Sequence, residues 1–194
     1  MILITGGCGY VGSELVKSLL KEKKKIIVYD TQWFGNFLED HPNLKIINGD
    51  MRDLSGLDLN KVKSIIHLAN IANDPAVEMN PTLSWEVNVL ATQQLLEKSI
   101  RSNTVEHFIY ASSGSVYGIK NEEKVTEDLE LVPISIYNKT KMVAERVVLS
   151  YSNYFPVHCI RPATVCGMSS RMRLDVSVNM LAFQTLENKK ITVF

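Results

Sequence analysis

A glycine-rich turn between two apolar segments restricts how the N-terminal part of this chain can fold. Residues 1–5 are a short apolar run suited to a buried parallel strand, and residues 12–23 carry apolar side chains at helical spacing. Between them, Gly7, Gly9 and Gly12 follow the spacing Gly-x-Gly-x-x-Gly. Such glycines let the backbone turn sharply and approach a pyrophosphate, to which the helix N-terminus offers free N–H groups. The pattern predicts a βαβ unit that binds a dinucleotide.

An acidic residue follows the second predicted strand. Residues 25–29 are predicted to form that strand, and Asp30 comes eighteen positions after Gly12. A carboxylate there accepts hydrogen bonds from a ribose 2′-hydroxyl and repels a 2′-phosphate, so we expect NAD rather than NADP. The alternative is a structural turn in which Asp30 only caps the end of a strand.

Predicted strands and helices alternate along the chain. The strands are predicted at 1–5, 25–29, 44–48, 63–68, 105–111, 156–161 and 190–194, and the helices near 12–23, 81–101, 136–152 and 175–188. Such alternation is typical of an α/β protein with a doubly wound parallel sheet, the NAD-binding Rossmann fold. In the segment 31–43, the aromatic side chains of Trp33 and Phe34 either cover an adenosine or pack against the protein.

Charge and cysteine content argue against several classes of partner. The chain has 21 basic and 21 acidic side chains, which gives it no bulk charge for nucleic acid or a membrane surface. No apolar stretch approaches the length of a membrane span, and the first strand begins at Met1 without a leader pattern. The three cysteines contain no CxxC pair, which suits reduced thiols and indicates no metal site. We therefore expect a cytoplasmic protein that binds neither nucleic acid nor membrane.

A tyrosine and a lysine four residues apart indicate proton chemistry. Tyr137 and Lys141 share one face of the predicted helix 136–152. A free tyrosine, with a pKa of about 10, is a poor base at neutral pH, but a nearby ammonium stabilises its phenolate. Ser113, at the carboxyl end of the fifth predicted strand, can donate a hydrogen bond to the same substrate oxygen. With a dinucleotide site upstream, these residues predict an enzyme that oxidises or reduces an alcohol carbon.

Two polar residues lie inside predicted elements. His67 ends a strand, and we expect it to be a packed or hydrogen-bonded core residue rather than a ligand. Asn88 lies in a helix pattern where asparagine is not favoured, so it either reaches the site or binds a buried backbone group.

Ordered motifs along nearly the whole chain resemble the extended short-chain dehydrogenase/reductase superfamily, and within it the NAD-dependent nucleotide-sugar epimerase/dehydratase family. The motifs are the turn at 5–12, Asp30, the segments 49–53, 67–70, 88–89 and 112–118, the pair Tyr137 and Lys141, and the segment 161–162. The resemblance implies that Ser113, Tyr137 and Lys141 are catalytic, and that the last two also contact NAD. The other expected cofactor contacts are Gly6, Gly9, Tyr10, Val11, Gly12, Asp30, Asp50, Met51, Leu68, Ala69 and Pro162.

The expected substrate contacts are Ser113, Thr164, Arg171 and Arg173. Thr164 stands where the family often has a substrate-binding asparagine. Guanidinium groups suit a diphosphate, although an ion pair with Asp175 or contact with solvent is the alternative for the two arginines.

The resemblance leaves several reactions to choose from. Dehydratases of the family have Thr-Asp-Glu where this chain has Ser113-Gly114-Ser115, so dehydration is disfavoured. A preference for NAD suits a cycle in which hydride leaves a sugar carbon and returns to its other face. We therefore predict a nucleotide-sugar epimerase acting at C4 of a nucleotide-diphosphate sugar. A net 4-dehydrogenase or reductase, and a truncated non-catalytic NAD-binding module, remain the alternatives.

The family also implies a domain layout and an oligomer. We expect residues 1–194 to form the NAD-binding Rossmann domain, with 162–194 leading into a substrate-binding lobe that the chain does not complete. Family members commonly dimerise through helices that correspond to 81–101 and 136–152, which predicts a homodimer.

Overall fold

The computed structural model describes residues 1–191, which contain a six-stranded sheet. The strands are β1 (Ile2–Thr5), β2 (Ile26–Asp30), β3 (Leu44–Asn48), β4 (Ser64–His67), β5 (His107–Ala111) and β6 (Val157–Ile160). Their order is β3-β2-β1-β4-β5-β6, and every neighbouring pair is parallel. This is the doubly wound arrangement, and it confirms the predicted fold class. Of the predicted strand 190–194, residues 192–194 lie outside the described residues.

Helices cover the sheet on both faces. They are α1 (Tyr10–Lys21), α2 (Asp74–Met79), α3 (Pro81–Trp85), α4 (Ala91–Ser102), α5 (Ile136–Ser150) and α6 (Ser177–Asn188), with a π-helical turn at Glu86–Leu90 and a 3₁₀ turn at Gly114–Tyr117. The predicted helix 81–101 is therefore α3, the π turn and α4 in succession. None of the helices in this part of the chain is long and apolar enough to cross a bilayer.

Two differences from the prediction have local causes. Helix α1 begins at Tyr10, two residues before the expected start, because the turn glycines lead directly into it. Helix α2 was not predicted, since six residues are too few to show an apolar period. Its signals are local ones: the Asn73 side chain accepts a hydrogen bond from the Ala76 N–H, and Pro75 occupies the first turn.

The core forms on both sides of the sheet because side chains alternate along each strand. In β1, Leu3 packs into one apolar cluster with Phe108 and Leu95, while Ile4 packs into a second cluster with Val16 of α1. A parallel sheet buried on both faces needs such near-continuous apolar strands. The carboxyl ends of β1, β2, β4 and β5 are consequently the edge at which the polar segments meet.

His67 is buried in this core, and both nitrogens of its ring lie close to hydroxyl groups. Its Nδ1 is 2.6 Å from the hydroxyl of Thr5, and its Nε2 is 2.8 Å from the hydroxyl of Thr92. Complete burial, assisted by the charge of Lys141, lowers the pKa of His67 to about 3. The histidine is therefore neutral and joins β1, β4 and α4, as expected from the sequence.

Asn88 satisfies a buried backbone segment. Its Oδ1 accepts a hydrogen bond of 2.8 Å from the N–H of Ile71, and its Nδ2 donates to the Ile71 carbonyl at 3.1 Å and to the Thr140 hydroxyl at 3.0 Å. The second of the two sequence-based alternatives is thus the one observed. Through these bonds Asn88 joins the π turn to the segment after β4 and to α5.

Replacing Asn88 by leucine should destabilise the fold by about 2–4 kcal/mol, because two buried backbone groups lose their partners and the Thr140 hydroxyl loses one of its two. Denaturant unfolding of the two proteins measures this difference. The matched control is Asn60→Leu on an exposed turn, which should stay within about 0.5 kcal/mol of wild type. Equal midpoints for Asn88→Leu and Asn60→Leu would contradict the role given to Asn88.

Candidate active site

The glycine turn between β1 and α1 makes a close-packed cradle. Gly6 has φ +72°, in the left-handed region, and a Cβ there would lie 2.6 Å from the backbone nitrogen of Ala69. Gly12 is packed against the backbone of Gly6 and Gly7. Since α1 begins at Tyr10, its first N–H groups have no helical partner and point toward this turn. The turn therefore offers backbone donors to an anion and no side chains that would block it.

Replacing Gly12 by alanine should weaken NAD binding by at least about tenfold, because the new Cβ would lie 2.7 Å from the Cα of Gly7 and force the cradle open. Calorimetric titration with NAD measures the change. Gly56→Ala is the matched control, since its Cβ would meet nothing within 4 Å. Unchanged NAD affinity in Gly12→Ala would rule out this turn as the phosphate cradle.

Asp30 is the last residue of β2 and faces the glycine turn. Its Oδ2 accepts a hydrogen bond of 2.9 Å from the N–H of Cys8, and its Oδ1 accepts one of 2.7 Å from the N–H of Gln32. Each carboxylate oxygen keeps lone-pair capacity for a further donor. The two N–H groups thus orient the carboxylate beside the cradle, where a ribose hydroxyl can reach it.

The expected cofactor contacts after β3 and β4 lie at the same carboxyl edge of the sheet as the cradle. Leu68 and Ala69 follow β4, where the Leu68 N–H donates to the Thr5 carbonyl at 3.0 Å and the Ala69 N–H to the Thr5 hydroxyl at 3.4 Å. After β3, the Met51 side chain is buried in the core, which leaves its backbone for a ligand. The neighbouring Asp50 carboxylate is already bound by the guanidinium of Arg52, at 2.7 Å.

Tyr137 and Lys141 lie in the first turns of α5, which Ser135 caps by accepting a hydrogen bond from the Asn138 N–H. Lys141 is 3% exposed, and its Nζ donates a hydrogen bond to the Ala111 carbonyl at 2.7 Å. The ammonium lies 5.9 Å from the centroid of the Tyr137 ring. Because Ala111 ends β5, this bond fixes α5 at the carboxyl edge of the sheet.

Burial acts in opposite directions on the two pKa values. Burial raises the pKa of Tyr137. The Ser113 hydroxyl and the charge of Arg173 lower this pKa, but by less than burial raises it. Burial lowers the pKa of Lys141 to about 7. Tyr137 is therefore a phenol at neutral pH in this structure, whereas Lys141 is close to its titration point. A substrate oxygen and a bound cation are the groups that can shift Tyr137 toward phenolate.

Ser113 begins the 3₁₀ turn after β5. Its hydroxyl is 2.7 Å from the hydroxyl of Ser115 and accepts a hydrogen bond from the Ser115 N–H. The Gly114 N–H donates to the Pro162 carbonyl at 2.8 Å, so the segment after β6 holds this turn in place. Thr164 lies two residues further on and is exposed. Ser113, Tyr137 and Lys141 thus meet at the end of β5.

A buried ion pair supports this arrangement and was not recognised in the sequence. The guanidinium of Arg161 binds both oxygens of Glu145, at 2.5 and 3.1 Å, and donates to the Tyr117 hydroxyl at 2.7 Å. Glu145 belongs to α5 and is 1% exposed. Burial tends to raise the pKa of Glu145, but the hydrogen bonds and the charge of Arg161 outweigh it and hold the pKa below its usual value. The pair joins β6, α5 and the 3₁₀ turn that carries Ser113.

A second unrecognised feature is the crossing segment, residues 167–175, which runs over the carboxyl edge of the sheet. At its start, the Tyr10 hydroxyl donates to the Gly167 carbonyl at 2.8 Å, and the Ser169 hydroxyl donates to the Tyr10 carbonyl at 2.8 Å. At its end, Asp175 accepts a hydrogen bond of 2.8 Å from the Asn73 side chain, after β4. Asn179 of α6 also binds this segment, through the Gly167 N–H and the Arg173 carbonyl, and an asparagine inside a predicted helix is the sequence signal for such contacts.

The two arginines of the crossing segment lie against different partners. Arg173 forms the ion pair with Asp175 that was the alternative to substrate contact, at 2.5 Å. The guanidinium carbon of Arg171 lies 4.0 Å from the centroid of the Phe34 ring. Trp33 and Phe34 are exposed, so these aromatics do not pack into the core. The side chains of the described residues bring together no group of three or more His, Cys, Asp and Glu that could hold a metal ion.

Comparison with known proteins identifies relatives over the whole chain. A sequence model of the NAD-dependent epimerase/dehydratase family matches residues 2–194. An uncharacterized UDP-glucose epimerase of Bacillus subtilis is 34% identical over all of this chain and 65% of its own length. A UDP-glucose 4-epimerase of Lactobacillus helveticus is 31% identical over 76% of this chain and 46% of its own.

Solved structures show the same likeness. The UDP-glucuronic acid 4-epimerase of Bacillus cereus, in complex with UDP-glucuronic acid and NAD, has a TM-score of 0.84 at 32% identity. The likeness covers 100% of this chain and 65% of that structure. The chain thus spans about two thirds of the length of the B. subtilis and B. cereus relatives. These matches confirm the predicted family resemblance and NAD as the cofactor of this fold.

Proposed function

Because the chain belongs to the NAD-dependent epimerase/dehydratase family, we propose that it carries the cofactor site and the catalytic residues of a nucleotide-sugar 4-epimerase. The observation that carries this proposal is the meeting of Ser113, Tyr137 and Lys141 at the carboxyl end of β5, on the same edge of the sheet as the glycine cradle. A non-catalytic NAD-binding module needs the cradle but not these three side chains.

The residues around the cradle fit NAD. A Cβ at Gly6 or Gly12 would collide with the backbone around it, so only glycine allows the tight turn whose N–H groups border the crevice at the carboxyl ends of the strands. Asp30 is oriented toward the same space by two N–H groups, as a ribose-binding carboxylate must be. When bound, NAD supplies the acceptor and donor of hydride.

The chain's own residues manage the proton of the reacting hydroxyl. Tyr137 first releases its own proton to solvent and then, as a phenolate, takes the proton of the hydroxyl as hydride leaves the carbon and gives it back when hydride returns. Ser113 donates a hydrogen bond to the same oxygen and holds it beside the phenol. Lys141, anchored on the Ala111 carbonyl, places a titratable ammonium below the Tyr137 ring. With a pKa near 7, it can lend positive charge to a forming phenolate.

The 3₁₀ turn after Ser113 lacks the acidic side chains that a dehydratase uses as general acid and base. Gly114 has no side chain, and Ser115 presents a hydroxyl that is hydrogen-bonded to Ser113. Neither can abstract a carbon-bound proton as a carboxylate would. The second candidate function is a net 4-dehydrogenase or reductase, which the same Ser113, Tyr137 and Lys141 would serve.

Substrate contacts are proposed on the side of the site near β4 and β5. Arg173 lies close enough to Tyr137 for its charge to oppose the rise of the tyrosine pKa, and Asp175 and Asn73 hold it there. A guanidinium in that place suits an oxygen-rich sugar or its diphosphate. Thr164 stays a predicted contact, as does the expectation that residues 162–194 lead into a substrate-binding lobe.

A homodimer is proposed through the helices that follow β4 and β5. Trp85 of α3, Leu90 of the π turn and Leu149 of α5 are exposed apolar side chains on these helices. Covering them in a second copy would remove apolar surface from water. The cytoplasmic location stays a prediction.

The proposal is tested by incubating the purified chain with UDP-glucose and, separately, with UDP-glucuronic acid. Products are identified by NMR, and reduced cofactor is followed by its absorbance. An epimerase converts one sugar to its C4 epimer without accumulating reduced cofactor. Stoichiometric reduction of added NAD would support the dehydrogenase instead. NAD binding without conversion of either sugar would contradict both and favour the binding module.

A further inference from the structure

Among the described residues, the guanidinium group of Arg171 forms no ion pair. Its only hydrogen bond among residues 1–191 is a long one of 3.5 Å to the Met172 carbonyl. Its guanidinium carbon lies over the Phe34 ring, 4.0 Å from the ring centroid, a contact that holds the cation against the ring. The neighbouring Arg173, by contrast, is neutralised by Asp175. A stacked cation with most of its five N–H groups unused is suited to bind phosphate oxygens.

The order of the strands shows which half of the site Arg171 faces. Phe34 follows β2 by four residues, on the same side of β1 as Asp30. Tyr137 and Ser113 lie at β5, three strands away, which is roughly 14 Å at the usual strand spacing. A nucleotide sugar whose reacting carbon touches Tyr137 has its diphosphate only one sugar ring away from that carbon. NAD reaches further, because its diphosphate joins the nicotinamide half to the adenosine half over β1 and β2.

The crossing segment brings Arg171 to the phosphate end of the cradle. Ser169 donates to the Tyr10 carbonyl in the first turn of α1, and the Ser170 N–H donates to Glu14 at 3.1 Å. Ser170 also contacts Lys17. These bonds fix the residues just before Arg171 to the helix whose N-terminus closes the glycine cradle.

We propose that Arg171 binds the diphosphate of NAD and that the Phe34 ring holds its guanidinium in place. Arg171 then belongs to the cofactor site, whereas Arg173 serves the catalytic side. Phe34 and Arg171 together close the crevice over the adenosine half of the cofactor. The inference rests on NAD as the cofactor and is independent of which sugar reaction the protein performs.

The test is calorimetric titration of the full 194-residue chain, freed of bound nucleotide, with NAD, ADP-ribose and UDP-glucose. The variants are Arg171→Met, Phe34→Leu and the double variant, with Arg101→Met on α4 as an exposed control. Arg171→Met should weaken NAD and ADP-ribose alike by about ten- to a hundredfold and leave UDP-glucose unchanged. Phe34→Leu should have a smaller effect, and the double variant should be no weaker than Arg171→Met, since the ring acts through the guanidinium.

Three results would overturn the proposal. Weaker UDP-glucose binding with unchanged NAD and ADP-ribose would assign Arg171 to the diphosphate of the substrate. Equal losses for all three ligands would indicate a general effect of charge, and no loss for any would leave Arg171 as a surface cation stacked on a ring. Arg171→Lys, which keeps the charge without the planar fork, should lose most of the same affinity and separates a specific contact from misfolding. Failure of the wild-type chain to bind NAD would instead overturn the cofactor assignment.

Discussion

Replacing Tyr137 by phenylalanine is expected to lower the turnover of a nucleotide sugar by about a hundred- to ten-thousandfold while NAD affinity changes little. The phenol oxygen is the group that exchanges a proton with the reacting hydroxyl. The ring itself packs against the apolar cluster of Ile71, Val77 and Val87, and phenylalanine preserves that packing. Turnover is measured by NMR of the products, and NAD affinity by calorimetry.

Tyr154→Phe is the matched control, because Tyr154 is exposed after α5 and should affect neither quantity. Loss of NAD binding in Tyr137→Phe would show that the hydroxyl serves the cofactor rather than the proton transfer. Unchanged turnover would remove Tyr137 from the catalytic set.

Replacing Glu145 by glutamine is expected to destabilise the fold by about 3–5 kcal/mol, because it leaves Arg161 in a poorly solvated position without its counter-charge. Glu106→Gln, which interrupts an exposed pair with Lys63, should leave the unfolding midpoint unchanged. Adding Arg161→Met to Glu145→Gln should recover part of the loss, since no uncompensated charge then remains. An unfolding midpoint of Glu145→Gln equal to that of Glu106→Gln would contradict the structural role of the pair.

The same pair makes a prediction about pH. The folded-state pKa of Glu145 lies below its usual value, so the stabilisation is complete above the unfolded value of about 4.3 and is lost as the pH falls through the folded pKa. In Glu145→Gln this part of the acid dependence should be absent. Denaturant unfolding at pH values from neutral to acidic, for both proteins, compares the two profiles.

Local signals in the sequence predicted the fold and indicated Ser113, Tyr137 and Lys141 as candidate catalytic side chains. The apolar strands, the turn glycines and Asp30 act within about thirty residues of one another, and Tyr137 and Lys141 are one helical turn apart. In a parallel sheet the carboxyl ends of the strands lie at one edge, and this holds for any conformation of the loops that follow them. For this reason the positions of Ser113 and the glycine cradle relative to each other followed from topology alone.

The contacts of the residues after β6 could not be predicted in this way. Gly167 and Ser169 meet Tyr10 across more than 150 positions, and Arg161 meets Glu145 only once β6 has paired with β5. No periodic pattern marks such contacts, because each depends on the path of an irregular segment over a finished sheet. Glu145 and Asn179 are the sequence features that accompany these contacts, since each is a buried polar residue inside a helix and needs a hydrogen-bond partner.

The most direct test of the proposed epimerase uses UDP-glucose that carries deuterium at C4 of the sugar. The chain is incubated with this substrate in ordinary water, and NMR and mass spectrometry locate the label in the product. If hydride leaves C4 and returns to it from bound NAD while Tyr137 and Ser113 act on the hydroxyl group, the product is the C4 epimer with deuterium retained at the same carbon and no net reduced cofactor. An epimer whose C4 has exchanged its label for solvent hydrogen would contradict this account, as would label that accumulates in free reduced cofactor.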